Sequence, residues 1–491
     1  MRFRAMVLFA AVVFVLTITT MFQAALPAPI TNAATSPFGY LDDNLPYFYN
    51  PSSATKSLVQ TPTGEKPQSK LWFNDGRWWG SIFNKAAGNY HIYWLNLVTQ
   101  RWADTGTVLD TRAQTKADCL WDGTHLYVAS GGGADPIAGN GTSAPLPGYL
   151  YRYSYNTTTK QYTKDAGPVL IRNGGAETLV IDKDTTGRLW ITYTQNGKVY
   201  VNHSRSSDID WDATAAIVVP TPDPKWTSVS PDDISTLVAF DTKIGILWSN
   251  ESPGQLSGSS DTAFYFAYHV DSQPDTSWTS GPIFHQPSVA DDHLNIKALQ
   301  SDPAGNLYAM VKTSFNSAGT PQLVLLVGKK INGSYNWSWY TESIREEGQT
   351  RPLLVIDTSH RTLYVFTSTE GGGSIYYKST SMDNIKFPTG ADTARTFMSK
   401  PGYAINDVTS TKQTANSASG IVVLASHDNE SSVDSTVADF YFHNYIDLNT
   451  SGATLTPTAS RVPTATLVPT ATPTLGPVNT NRQVFVPVSQ N

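Results

Sequence analysis

A unit of short apolar run, turn and second β-rich run recurs seven times in this sequence at intervals of about 50 to 60 residues, a period characteristic of propellers and repeat arrays. The units open at Ser69 (Ser-Lys-Leu-Trp-Phe), Asp118 (Asp-Cys-Leu-Trp), Glu177 (Glu-Thr-Leu-Val-Ile), Ser235 (Ser-Thr-Leu-Val-Ala), Asn295 (Asn-Ile-Lys-Ala-Leu), Arg351 (Arg-Pro-Leu-Leu-Val) and Asn406 (Asn-Asp-Val-Thr). Most continue through an Asp/Gly turn into a second strand, as in Asp75-Gly76 before Trp78-Trp79 and Asp184 to Gly187 before Leu189-Trp190. Asp and Gly accept the positive φ of tight turns, whereas Trp, Tyr, Val and Ile suit a pleated surface, so each pair predicts a hairpin.

A second hairpin follows within each unit. Its third run includes Tyr90 to Leu97, Lys198 to His203 and Phe264 to Val270, and its fourth is marked in successive units by Trp102, Tyr162, Trp211, Trp278, Trp337 or Trp339, and Phe387. Four antiparallel strands repeated seven times predict an all-β fold, a seven-bladed β-propeller. The seventh unit shows no fourth run after Tyr445, so a segment between Tyr47 and Val59 is expected to close the ring. The 35 glycines, 30 prolines and 11% aromatic content agree with many short strands joined by turns. Two stacked sandwich domains would not produce this period.

The ends of the chain read differently. Arg2 and Arg4 precede an apolar run and then small residues, predicting a signal peptide over residues 1–34. Residues 35–64 form an N-terminal segment, part of it closing the last blade, residues 65–448 the propeller, and 449–491 a Thr/Pro-rich linker and tail with too little apolar surface to fold. The expected mature protein is secreted or held at the cell surface, without a membrane span, and monomeric. Its single cysteine, Cys119, has no partner for an internal disulfide. A net charge of −6 and the lack of basic runs argue against nucleic acid as a partner.

In a propeller, the start of each inner strand and the loop joining second and third strands share one face. Long loops there, Ser130 to Gly148, Ser249 to Asp261, Ser314 to Pro321 and Ser426 to Thr436, mark it as the functional face. The inner-strand starts are polar: Lys70, Lys116 and Asp118, Glu177, Asp232 and Asp233, Asp291 to His293, Arg351, and Asn406 with Asp407. Converging on one axis, they would ring the channel mouth and shift one another's pKa values. Arg112 joins Lys116 and Asp118 on one entry strand, and strand alternation sets His293, Asn295 and Lys297 on one side. Arg351 before Pro352 suits capture of a carboxylate or sulfate.

Blade layout and the repeated Asp-to-Gly turn resemble the sialidase-like and BNR-repeat superfamily of secreted propellers over about residues 65 to 447. The family's Asp box reads Ser-x-Asp-x-Gly-x-Thr-Trp. Here Asp184-Thr-Thr-Gly187-Arg-Leu-Trp190 and Asp302-Pro-Ala-Gly305-Asn-Leu-Tyr308 carry an extra spacer and lack the threonine. The resemblance implies glycosidases, polysaccharide lyases or lectin-like proteins. Of the three arginines with which sialidases hold a carboxylate, only Arg351 matches, with Arg112 a candidate second, which argues against sialidase activity as such.

Two functions follow as expectations. An enzyme acting on an extracellular, anionic polysaccharide or glycoconjugate would use paired carboxylates for hydrolysis, with Asp118, Glu177 and Asp233 as candidates. For a lyase it would use a base beside a cation, His293 with Arg351 or Lys116. Lys70, Arg112, Lys116, Asp292, Asn295, Lys297, Asn406 and Asp407 would bind ligand. The alternative is a non-catalytic carbohydrate- or protein-binding surface propeller. No cofactor is required, and the hard oxygen ligands at Asp232-Asp233 or Asp291-Asp292 would suit a structural calcium ion.

Overall fold

The computed structural model describes residues 38–47, 62–64, 66–132, 146–256, 259–298, 305–427 and 439–449. The expected signal peptide and the Thr/Pro-rich tail lie outside them. The closing strand β1 (Tyr40–Tyr47) comes first, followed by a blade of β2 (Leu71–Asn74), β3 (Arg77–Asn84), β4 (Asn89–Asn96) and β5 (Arg101–Asp110). The second blade is β6 (Lys116–Trp121), β7 (His125–Gly132), β8 (Leu146–Asn156) and β9 (Gln161–Arg172). The third is β10 (Val180–Lys183), β11 (Leu189–Gln195), β12 (Lys198–His203) and β13 (Ile217–Val218). The fourth is β14 (Ser235–Phe240), β15 (Lys243–Asn250), β16 (Thr262–Val270) and β17 (Trp278–Gln286). The fifth is β18 (Leu294–Ala298), β19 (Leu307–Lys312), β20 (Pro321–Ile331) and β21 (Ser334–Ile344). The sixth is β22 (Gln349–Asp357), β23 (Thr362–Thr369), β24 (Ile375–Ser381) and β25 (Arg395–Met398). The last comprises β26 (Ile405–Thr409), β27 (Ile421–His427) and β28 (Asp439–Ile446).

Each blade is an antiparallel four-stranded sheet in sequence order, except the seventh, whose order is β1-β28-β27-β26. The chain is therefore a seven-bladed propeller closed by a strand from its N-terminal side. That strand, Tyr40–Tyr47, lies upstream of the 47–59 segment expected to close the ring. The sequence of β1, Tyr-Leu-Asp-Asp-Asn-Leu-Pro-Tyr, hides its strand character behind three polar residues and a proline. A proline is tolerated on such an edge strand, which needs no ladder donor on its open side. Asp42 meets His443 of β28 at 2.9 Å, both wholly buried, and His443 Nε2 reaches Gln100 Oε1 at 3.0 Å. Through its two ring nitrogens, His443 thus fastens closing strand, last blade and first blade.

Burial follows position in the blade. β14 is buried at every residue, because an inner strand has neighbouring blades on both faces, while most residues of the outer β5 are half-buried or exposed. Complete burial of side chains such as Ile246, Leu326 and Val365 stabilises the sheet stack by about 1.5–3 kcal/mol each. The repeated aspartate has a local task. Asp184 Oδ1 accepts from the Thr186 and Arg188 amides at 2.9 and 3.0 Å, and Oδ2 accepts from Trp190 Nε1 at 2.7 Å. Asp122 caps its turn in the same way through Thr124 and His125. Trp211 precedes its short outer strand instead of starting it, donating from Nε1 to the Asp208 carbonyl while its ring packs in the core.

Candidate functional site

The segment that leads into β2 crosses the channel mouth. Lys66 Nζ lies 3.2 Å from Glu177, which precedes β10, and is ion-paired with Asp292, which precedes β18. One ammonium therefore bridges the entries to the third and fifth blades. Further along the segment, Lys70 is buried and donates to Gln68 Oε1 at 2.8 Å and to the Ala117 carbonyl at 2.6 Å. Asp118 accepts from the Ser69 and Ile181 amides at 2.7 and 2.8 Å and pairs with Lys412 at 2.9 Å. Both hold inner strands together along the axis.

Asn295 and Lys297 line the same wall. Asn295 Oδ1 accepts from the Leu354 amide at 3.2 Å, and Lys297 Nζ donates to the Thr411 carbonyl at 2.9 Å. Burial, then the nearby Lys412 charge, pushes Lys297 down to about 7. Lys297, Asp182, Lys412 and Gln413 line a cavity in the axial channel. Arg351 pairs with Asp407 at 2.9 Å and Asn406 is buried beside it, whereas Arg112 pairs with Asp110 at 2.7 Å. Lys116 begins β6, half-buried.

The remaining residues gather at the mouth over the fourth and fifth blades. His293 Nδ1 is 2.5 Å from Asp291 and 2.6 Å from Asp292, and Lys312 reaches Asp291 at 3.1 Å. Burial, followed by the charge of Lys66, lowers His293 to about 4, so at neutral pH the ring is neutral and Nδ1–H donates to the carboxylates. His293 Nε2 is buried without a hydrogen-bond partner. Burial opposes ionisation of Asp291, but His293 and Lys312 outweigh it and hold the carboxyl at about 2.

Asp233 is buried, accepts from the Ser230 and Glu251 amides at 2.7 and 3.1 Å, and is raised by burial. Glu251 lies beside it, immediately beyond β15. Burial first, then the charges of Asp233, Asp291 and Asp232, push Glu251 up to about 8. Oxygens of Asp232, Glu251 and Asp292 lie within 4.8 Å of one another, with Asp232 exposed and Glu251 half-buried. A carboxyl that stays protonated at neutral pH beside an exposed carboxylate can donate a proton while its neighbour attacks or accepts one.

Of the residues nominated from sequence, the structure gathers Glu177, Asp233, Asp292 and His293 around this mouth. It ties Arg351 to Asp407 and commits Lys70, Asp118, Asn295 and Lys297 to the axial wall. Lys66, Glu251 and Lys312 were not nominated. Glu251 lies in the long Ser249 to Asp261 loop, and that loop length was its only sequence signal. Lys66 had none, since nothing in the sequence indicates that a segment before the first blade folds over the mouth.

No family model matches the sequence, and no curated protein matches it. Among solved structures the chain is similar to a polysaccharide lyase, with a TM-score of 0.46 at 9% identity over 84% of this chain and 98% of that one. It is similar to an ulvan lyase, described as a new family of polysaccharide lyase, with a TM-score of 0.43 at 10% identity over 82% and 95%. A protein of unknown function from Dyadobacter fermentans matches with a TM-score of 0.43 at 10% identity over 66% and 92%. Likenesses at such identities and scores assign neither residue roles nor a reaction.

Proposed function

We propose that the channel mouth hydrolyses glycosidic bonds of an extracellular glycan, with Glu251 as proton donor and Asp232 as the ionised partner. The observation that carries this reading is the convergence of Asp232, Glu251 and Asp292 oxygens within 4.8 Å, from three separate connections. Hydrolysis with retention uses two carboxyls about 5 Å apart, one neutral and one charged. Asp292 is ion-paired with Lys66 and lies 2.6 Å from His293 Nδ1, which leaves Asp232 as the exposed carboxylate of the three. The layout shared with sialidase-like propellers supports a sugar as substrate, and the arginine-led apolar N-terminus supports secretion or display at the cell surface.

Hydrolysis is better supported than elimination. A lyase needs an accessible base beside a cation that neutralises a uronate, yet His293 Nε2 is buried and Arg351 is engaged by Asp407. The three carboxyls also offer hard oxygens to a structural calcium ion, but calcium takes about six to eight of them. A non-catalytic, glycan-binding role is favoured by one observation, the pairing of most mouth charges with each other through Lys66, His293 and Lys312.

Incubation of the purified protein with neutral and acidic polysaccharides separates the readings. New reducing ends without unsaturated uronates are the expected result; ultraviolet-absorbing unsaturated products would overturn hydrolysis in favour of elimination. Retention on a polysaccharide column with no product would leave the binding role.

A further inference from the structure

The axial channel contains a cavity of about 50 Å³, walled by Pro67, Trp121, Asp182, Lys297, Lys412 and Gln413 among others. Three or four waters, or a molecule of about four or five non-hydrogen atoms, fill such a space. Trp121, which ends β6, and Lys412 and Gln413, which follow β26, are half-buried. Gln413 bonds to the backbone of Phe73, near the end of the inner strand β2, so this part of the wall is reached from the face opposite the mouth.

Lys297 points an amine into this cavity without an ion-pair partner among the described residues. Its Nζ donates to the Thr411 carbonyl at 2.9 Å. The two carboxyls whose charge reaches it are engaged elsewhere. Asp118 pairs with Lys412 at 2.9 Å, and Asp182 accepts from the Lys183 and Ala239 amides at 2.9 and 2.8 Å. A buried ammonium with no carboxylate against it gives up its proton more readily than it stays charged. With Lys412 adding a second positive charge, Lys297 titrates near 7, whereas an ordinary exposed lysine is neutral in only about one molecule in 2,500 at pH 7. Burial acts on Asp182 in the opposite sense and raises it, which keeps a proton on the carboxyl. A neutral amine and an acidic proton thus line one small cavity, and Lys412 with Asp118 makes a neutral pair beside them.

We propose that Lys297 is a nucleophilic amine that condenses with a small, uncharged aldehyde admitted to the axial cavity, with Asp182 as the proton donor. The amine lone pair forms the C–N bond while the carbonyl π pair moves to oxygen, and transfer of a proton from nitrogen to that oxygen gives a carbinolamine. Asp182 then protonates the hydroxyl, water leaves, and the nitrogen lone pair forms the C=N bond, so that an iminium stands beside the Asp182 carboxylate. The net change is amine plus aldehyde to imine plus water, with no oxidant or reductant. The electrical neutrality of the cavity favours an uncharged ligand, and its volume excludes one much larger than a two-carbon hydroxyaldehyde. This site stands apart from Asp232 and Glu251 and does not depend on the hydrolytic reading.

The test is reductive trapping on the intact protein at pH 7 with glycolaldehyde and sodium cyanoborohydride, which delivers hydride to the imine carbon and leaves a stable secondary amine, read by peptide mass mapping. Lys297 should be modified at least about ten-fold faster than the exposed Lys329 and Lys386, with a rate that rises through about pH 7. Pyridoxal phosphate, too large and too charged for the cavity, should label those exposed lysines and spare Lys297. Asp182→Asn should slow trapping at Lys297 by about ten-fold or more with an unchanged circular dichroism spectrum. Trapping at Lys297 no faster than at Lys329 and Lys386, or labelling of Lys297 by pyridoxal phosphate as readily as by glycolaldehyde, overturns the site. An unchanged rate in Asp182→Asn overturns its role as proton donor. Because the wild-type protein alone decides the first two outcomes, the result stands whether or not a variant folds and whether or not the mouth hydrolyses a glycan.

Discussion

Arg351 and Asp407 occupy equivalent places in adjacent blades, each the third residue of its inner strand, each in a register break with φ near +50°, and each the other's ion-pair partner at 2.9 Å. The left-handed backbone is uncommon for arginine and costs energy that the surrounding structure must offset. A bulge at the strand start turns both side chains toward each other, so the pair joins the sixth and seventh blades. A double-mutant cycle with Arg351→Met and Asp407→Asn should give a coupling of about 1–3 kcal/mol by urea denaturation. Additive effects of the two changes would show that the pair does not hold the seam.

Glu251 sets the reaction's proton supply. Glu251→Gln should reduce hydrolysis by about 10²- to 10⁴-fold while leaving the circular dichroism spectrum unchanged. In wild type, kcat/KM should fall as pH rises through about 8, where the carboxyl loses its proton. An alkaline limb that persists in the residual activity of the variant would assign that pKa to another group.

The same groups make stability depend on pH in opposite directions. His293 is lowered from 6.5 to about 4, so between these values the unfolded chain binds a proton that the folded one refuses, and stability falls as pH falls through that window. Glu251 is raised from 4.5 to about 8, so the folded state holds the extra proton and stability falls as pH rises from 4.5 to 8. Melting curves should therefore show Glu251→Gln more stable than wild type above pH 8, the difference vanishing near 4.5. The acid-side decline due to His293 should be equal in both proteins.

Asp42 and His443 lock the ring. Asp42→Ala leaves His443 buried without its carboxylate and should cost about 3–5 kcal/mol, measurable as a lowered urea midpoint. A loss below 1 kcal/mol or so would mean that backbone pairing of β1 alone closes the propeller.

The blades were legible in the sequence because turn chemistry and strand composition are local: Asp75-Gly76 and Asp184 to Gly187 announce hairpins wherever they occur. The candidate site was legible only as a face. Glu177, Asp292 and His293 could be placed at the mouth from strand phase, yet what each touches depends on segments far away in the chain. Lys66 meets Glu177 and Asp292 at separations of 111 and 226 residues. β1 was placed too late because its polar residues mask the alternation that marks other strands.

The ring closure also orders events in time. β1 is made before any of the seven blades and pairs with β28, Asp42 meeting His443 across 401 residues. Contacts so distant in sequence form slowly, because a long loop must be closed before they repay its entropy. Through synthesis of all seven blades, β1 has no strand to join, and one edge of the nascent molecule stays open to other chains. The polar sequence Asp42-Asp43-Asn44 followed by Leu45-Pro46 is the kind that discourages such pairing, so the features that concealed the strand from sequence reading are those that let it wait.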